Sequence, residues 1–179
     1  MSGHPPGAGG YATRSVSRTH GFMWSVAAAR PVALKPGDPA PDVTARNQAG
    51  EEVSPAFAEP TVVYFYPRDG TPGCTLEARE FEADIESFRR TGAAVFGVST
   101  DDVDAHRAFA DEEDLSFDLL ADPDGTVADA FDVEVQGEFV DRITFVLADG
   151  EVHDVVEADT MNPEGHAADV LEAVEAVAE

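Results

Sequence analysis

Residues 61–88, TVVYFYPRDGTPGCTLEAREFEADIESF, constrain the fold more than any other part of this 179-residue chain. They open on an unbroken apolar run, Val62 to Tyr66, rich in β-branched and aromatic side chains. A strand that is apolar at every position has both faces covered, as in a parallel sheet between helix layers. A Gly/Pro-rich turn follows, from Pro67 to Gly73. Ala78, Phe81, Ile85 and Phe88 then recur at helical spacing and form one apolar stripe. Thr71 has the side chain of a helix N-cap, and Pro72 suits the first helical position, where its missing N–H has no partner to lose. Cys74, the single cysteine, therefore falls in the first turn of a helix that leaves a buried strand.

That placement has chemical consequences. A first helical turn presents unpaired N–H groups and the positive end of the helix dipole, and both favour a thiolate over a thiol. The plainer reading of Cys74 is a small buried hydrophobe, since free cysteine is among the most buried residue types. A lone cysteine also excludes an intramolecular disulfide and a cysteine-based metal cluster.

Pro67, Thr71 and Cys74 spell P-x-x-x-T-x-x-C, and the segment YFYPRDGTPGCTLEAREF closely resembles the active-site segment of the peroxiredoxins. The likeness is to the branch known as bacterioferritin comigratory protein or PrxQ. It runs from Leu34 to the C-terminus through GVSTDDVDAHRAFA, LLADPDGTVADAF, RITFVLADG and NPEGHAADVLEAV, in the family's order. The resemblance implies a thioredoxin-like α/β sandwich, a mixed central sheet with flanking helices. It also implies a thiol-dependent peroxidase acting on hydrogen peroxide or small organic hydroperoxides without metal, flavin or haem.

Peroxide reduction needs charge stabilised on sulfur first and on the departing oxygen afterwards. Cys74 supplies the nucleophile, and the N–H groups around Gly73 and Cys74 can face the oxygens. Thr71 can offer its hydroxyl to peroxide or thiolate, or serve simply as a cap. Pro67 shapes the turn and keeps water off the sulfur, or merely stiffens the loop. By resemblance, Arg142 matches the arginine that a later strand brings to the pocket, against a plainer role as a solvated strand-end residue. Glu77 matches a position that orients that arginine, against the ordinary preference for acids near a helix start.

Many members of the branch carry a resolving cysteine five residues after the first. That position here is Arg79. After peroxide attack Cys74 would become a sulfenic acid with no partner in its own chain. The expectation is a one-cysteine mechanism, exposed to over-oxidation, in which an external thiol or a thioredoxin-like protein restores the sulfur. The same gap leaves room for a non-catalytic redox sensor or binding protein that uses Cys74 as a switch. Neither a metal site nor a Cys–His acyl-transfer enzyme is expected: His106, His153 and His166 have no metal-ligand spacing, nothing marks one as a base for Cys74, and His166, in NPEGH, reads as a polar residue at a helix start.

Asp plus Glu number 36 against 11 Lys plus Arg, a formal charge of −25, and Lys35 is the only lysine. Such a field repels nucleic acid and anionic membranes, so neither is an expected partner. The acidity is either an ordinary solvated surface with an acidic bias or adaptation to a very salty cytoplasm. Concentrated salt screens the self-repulsion of such a surface, which favours the second, and cytoplasmic localisation is expected. The expected assembly is a monomer or weak dimer.

Residues 1–33 differ from the rest, with no acidic residue before Asp38 and with Arg14, Arg18 and Arg30. HPPGAGG has no apolar period and reads as disordered. Gly21 to Ala29 resembles a short secretory core, but it contains Gly and Ser and follows no twin arginine. The expectation is a disordered leader or a mis-assigned start, with Met23 as the real one. A mature chain beginning near Arg30 would instead indicate export.

The domain proper, 34–179, opens with three prolines between Leu34 and Asp42 in an extended path. A small hairpin is expected for Val43 to Arg46 with Glu51 to Val53, then a buried strand at Ala93 to Val98. Asp101 or Asp102 caps a helix that places Val103, His106, Phe109 and Ala110 on one face. A short strand at Phe117 to Leu120, a turn and a brief helix at Thr126 to Phe131 come next. Asp149-Gly150 is a two-residue hairpin signal between Arg142–Leu147 and Glu151–Val156. Pro163 opens the last helix, with Ala167, Val170, Leu171, Val174 and Val177 inward.

Overall fold

The computed structural model describes residues 33–137, 139–158 and 163–178, all within the compact unit Ala33–Glu179. The expectations for the leader fall on residues outside those described, apart from Ala33.

The elements run β1 (Ala45–Arg46), β2 (Glu52–Val53), β3 (Thr61–Phe65), α1 (Pro72–Ala83), α2 (Ile85–Arg90) and β4 (Ala94–Ser99). They continue with α3 (Val103–Glu113), β5 (Asp118–Ala121), α4 (Thr126–Ala130), β6 (Val135–Gln136), β7 (Phe139–Val140), β8 (Ile143–Ala148), β9 (Glu151–Glu157) and α5 (His166–Ala178). Among the described residues, seven strands form one mixed sheet in the order β2-β1-β5-β4-β3-β8-β9. Strands β3, β4 and β5 are mutually parallel, while β8 lies antiparallel to β3 on its other side. The sheet, with helices on both faces, is the expected thioredoxin-like sandwich.

The continuous apolar run of β3 is explained by its place next to the sheet's centre, where all five residues are buried. Alternation splits them between two cores. Val62, Tyr64 and Tyr66 face α1, α2, α3 and α5 and pack with Ala78, Phe81, Phe88, Phe109, Val170 and Val174. Val63 and Phe65 face the opposite layer, with Val127 and Ala128 of α4, Phe131 and Phe145. A face this apolar holds the strand's register firmly, because a slip of one residue would exchange every side chain between the two cores. That register places the end of β3, and the loop after it, beside the start of β8: Phe65 opposes Ile143.

Several local expectations need amendment. The stripe from Ala78 to Phe88 lies on two helices rather than one, because the chain departs from helical geometry at Asp84 (φ −98°, ψ 7°). All four stripe residues are nonetheless buried. Thr71 occupies the N-cap position, but its side chain does not cap; its hydroxyl turns back to donate to the Arg68 carbonyl at 3.3 Å. Of the two candidate caps for α3, Asp102 serves, accepting from the Ala105 N–H at 2.9 Å. The Asp149-Gly150 turn has both residues at positive φ, 56° and 78°, the geometry of a type I′ hairpin.

Candidate active site

The loop from Pro67 to Thr71 carries the chain from β3 into α1. Within α1 the hydrogen-bond ladder begins with the Thr75 N–H on the Thr71 carbonyl at 2.9 Å. The N–H groups of Gly73 and Cys74 therefore precede the ladder and sit at the positive end of the helix. Cys74 is 1% exposed and packs in the core under β3.

Three residues further on, nearly one helical turn, Glu77 lies on the same face and is fully buried. Arg142 immediately precedes β8, and the pairing of β8 with β3 carries its side chain, also buried, to both residues. One guanidinium nitrogen donates to Glu77 Oε1 at 2.5 Å, and the other approaches Cys74 Sγ at 3.4 Å. The structure thus brings Cys74, Glu77 and Arg142 into one buried cluster. Pro67 and Thr71 lie half-buried in the adjoining loop.

His166 lies behind the cluster. It is the first residue of α5, as its place in the sequence suggests, and is 3% exposed, sharing a 2.7 Å hydrogen bond between Nε2 and Thr144 Oγ1. The same Nε2 stands 3.7 Å from Glu77 Oε2, an oxygen without a hydrogen-bond partner among the described residues. Burial pushes the Glu77 carboxyl up to about 7, against the pull of Arg142. Burial lowers the His166 ring to about 4. Burial alone would lower Arg142, but Glu77 and Cys74 outweigh it and hold the guanidinium above its usual range.

A second polar cluster anchors the loop. Asp69 accepts from the Tyr66 hydroxyl at 2.5 Å through Oδ1 and lies 2.6 Å from His106 Nδ1 through Oδ2. The Asp69 N–H donates to Asp101 Oδ2 at 2.8 Å, and His106 Nε2 donates to the Leu120 carbonyl at 3.0 Å. None of these was expected as a site residue. Only the position of His106 on the apolar face of its helix, with Phe109 and Ala110, signalled burial. At the resolving position, the largely exposed Arg79 pairs with Glu113 at 2.5 Å.

These features agree with comparisons to known proteins. The AhpC/TSA family matches residues 36–155. Chloroplastic peroxiredoxin Q of Sedum lineare is 36% identical over 145 residues, spanning 79% of this chain and 78% of its own length. Among solved structures, peroxidoxin BcpB of Mycobacterium tuberculosis superposes with a TM-score of 0.73 at 34% identity, covering 80% of this chain and 98% of that one. Bacterioferritin comigratory protein of Xanthomonas campestris, studied for its alkyl peroxide reduction activity, gives 0.72 at 32% identity, covering 84% of this chain and all (100%) of that one. A cysteine at the start of a helix, an arginine reaching it from a later strand, and likeness over most of the chain lead to one conclusion: the chain belongs to the AhpC/TSA family, as a peroxiredoxin.

Proposed function

We propose that Cys74 is the peroxidatic nucleophile of a one-cysteine thiol peroxidase that reduces hydrogen peroxide and small organic hydroperoxides. The observation that carries this reading is the Arg142 guanidinium, buried and touching both Cys74 Sγ (3.4 Å) and Glu77 (2.5 Å). A fixed cation at the sulfur stabilises the thiolate and then the charge that moves to the departing oxygen, without reorganising at the moment of reaction. The thiolate attacks one peroxide oxygen, the O–O bond breaks, and hydroxide or alkoxide leaves. Cys74 becomes a sulfenic acid. Gly73 and Cys74 N–H groups and the Thr71 hydroxyl contact the peroxide oxygens, while Pro67 limits water at the sulfur.

With Arg79 at the resolving position, an external thiol or a thioredoxin-like protein reduces the sulfenate. Phe139 is the one exposed large hydrophobic side chain among the described residues, which supports a monomer or weak dimer, since obligate interfaces bury broad apolar patches. The −25 charge supports work in the cytoplasm of a cell rich in salt and argues against nucleic-acid or membrane partners. Trapping the oxidised protein with a sulfenate-specific reagent tests the chemistry. One adduct per chain at Cys74 after one equivalent of peroxide supports the peroxidase. If no adduct forms, a non-catalytic binding reading takes its place, and an adduct that external thiols do not turn over catalytically indicates the sensor.

A further inference from the structure

Cys74, Glu77 and Arg142 are 1%, 0% and 5% exposed, and the single guanidinium bridges the two acids. Thiolate and carboxylate together would leave one negative charge uncompensated in a buried site, at a high desolvation cost. Among the described residues, the neighbours do not supply a second cation. Glu80, on the same helix, adds negative field at Glu77, and Tyr64 on β3 is a phenol that burial keeps protonated. Thr144 on β8 is uncharged. His166 on α5 is neutral, with burial outweighing the nearby Asp169. Glu77 Oε2, buried and without a partner among the described residues, faces this neutral ring at 3.7 Å.

We propose that Glu77 and Cys74 share one dissociable proton across Arg142, so that the carboxyl carries it on Oε2 whenever the thiolate is formed and releases it as the sulfur becomes a neutral sulfenic acid. The inference rests on the peroxidase reading for its place in the cycle, and the balance is complete. Cys74 thiolate, hydroperoxide and Glu77 carboxylic acid become Cys74 sulfenic acid, alcohol and Glu77 carboxylate. Sulfur bonds to the oxygen that keeps its hydrogen, and the O–O electron pair leaves on the other oxygen as alkoxide. The proton that Glu77 releases balances the one the alkoxide takes up. Sulfur is oxidised by two electrons and the peroxide reduced by two. The buried cluster is neutral before and after. Glu77 acts through Arg142 and is in this sense a positioning residue.

Thiolate absorbance of the reduced protein, followed against pH with Cys74→Ser as the blank, tests the sharing without peroxide. Two groups sharing a proton titrate in two macroscopic steps. The wild type is expected to show both. Glu77→Gln, which imitates the protonated carboxyl, is expected to lose one step and to keep its thiolate to lower pH. Identical curves for the two proteins, or a thiolate lost at higher pH in Glu77→Gln, would overturn the proposal. Difference infrared spectra of the wild type before and after alkylation of Cys74 with iodoacetamide give an independent readout that holds even if the variant unfolds. Neutralising the sulfur should remove a protonated-carboxyl band, and an unchanged carboxyl region would contradict the proposal. Neither readout depends on peroxide turnover, so sulfenate trapping can fail while these succeed, or the reverse.

Discussion

His106 Nδ1 lies 2.6 Å from Asp69 Oδ2, and through that contact the buried face of α3 holds the loop that carries Pro67 and Thr71. His106 is fully buried and its other nitrogen is committed to the Leu120 carbonyl, so the ring is fixed at both ends. Replacing it by leucine leaves Asp69 short of one partner, with the Tyr66 and Asp101 contacts still in place. A buried group left unsatisfied costs about 1–3 kcal/mol. His106→Leu should lower unfolding free energy by that amount in urea titrations and slow the reaction of Cys74 with peroxide.

Gly97 leaves the space that Tyr64 occupies. A Cβ at that position would lie 2.9 Å from both Tyr64 Cζ and Leu119 Cδ2. Tyr64 stacks on Phe81 of α1 at 4.4 Å between centroids, so pressure on the ring is passed to the helix bearing Cys74. Gly97→Ala should destabilise the fold by about 1–3 kcal/mol, the usual cost of overpacking. Chemical denaturation checks the size of the effect.

Glu77 and His166 pull the pH dependence of stability in opposite directions. Glu77 titrates at about 7 rather than its ordinary 4.5, so its contribution is present below about 4.5 and is lost as pH rises to about 7. His166 titrates at about 4 rather than 6.5, so its contribution is present above about 6.5 and is lost as pH falls to about 4. The two nearly cancel where their windows overlap. His166→Gln removes the opposing one, so between pH 4.5 and 6.5 its stability should fall more steeply with rising pH than that of the wild type in urea melts.

The strand, the turn and the helix of the Cys74 segment were legible because each is written locally: an apolar run, Gly and Pro in the turn, and a stripe at helical spacing. Resemblance alone singled out Arg142 and Glu77, since nothing local distinguishes Arg142 from a solvated strand-end arginine. The His106–Asp69 contact joins residues 37 apart and depends on how β3, β4 and β5 line up, which no local pattern reports. His166 opens α5 as its place in NPEGH suggests, but its burial has no local signal: α5 packs over β8 and α1 and turns it inward. Thr71 takes the expected N-cap position, but its hydroxyl donates to the Arg68 carbonyl and does not cap a helix N–H.

Salt should matter to the whole molecule. At −25 the chain repels itself in dilute buffer, and mobile ions shorten the range of that repulsion from roughly 30 Å at 0.01 M to about 3 Å at 1 M. Melting temperature should rise between low and multimolar potassium chloride. An unchanged value would argue against a salt-rich setting.

Stopped-flow measurement of peroxide consumption by the reduced protein in multimolar salt, beside Cys74→Ser and Arg142→Met, shows whether Cys74 and Arg142 together reduce peroxide. The reaction should be fast and form one sulfenate per chain, be absent in Cys74→Ser and be slowed at least about 100-fold in Arg142→Met, the scale of losing a preorganised charge-stabilising donor. A wild type no faster than a free thiol, or an Arg142→Met variant as fast as wild type, would contradict that joint role.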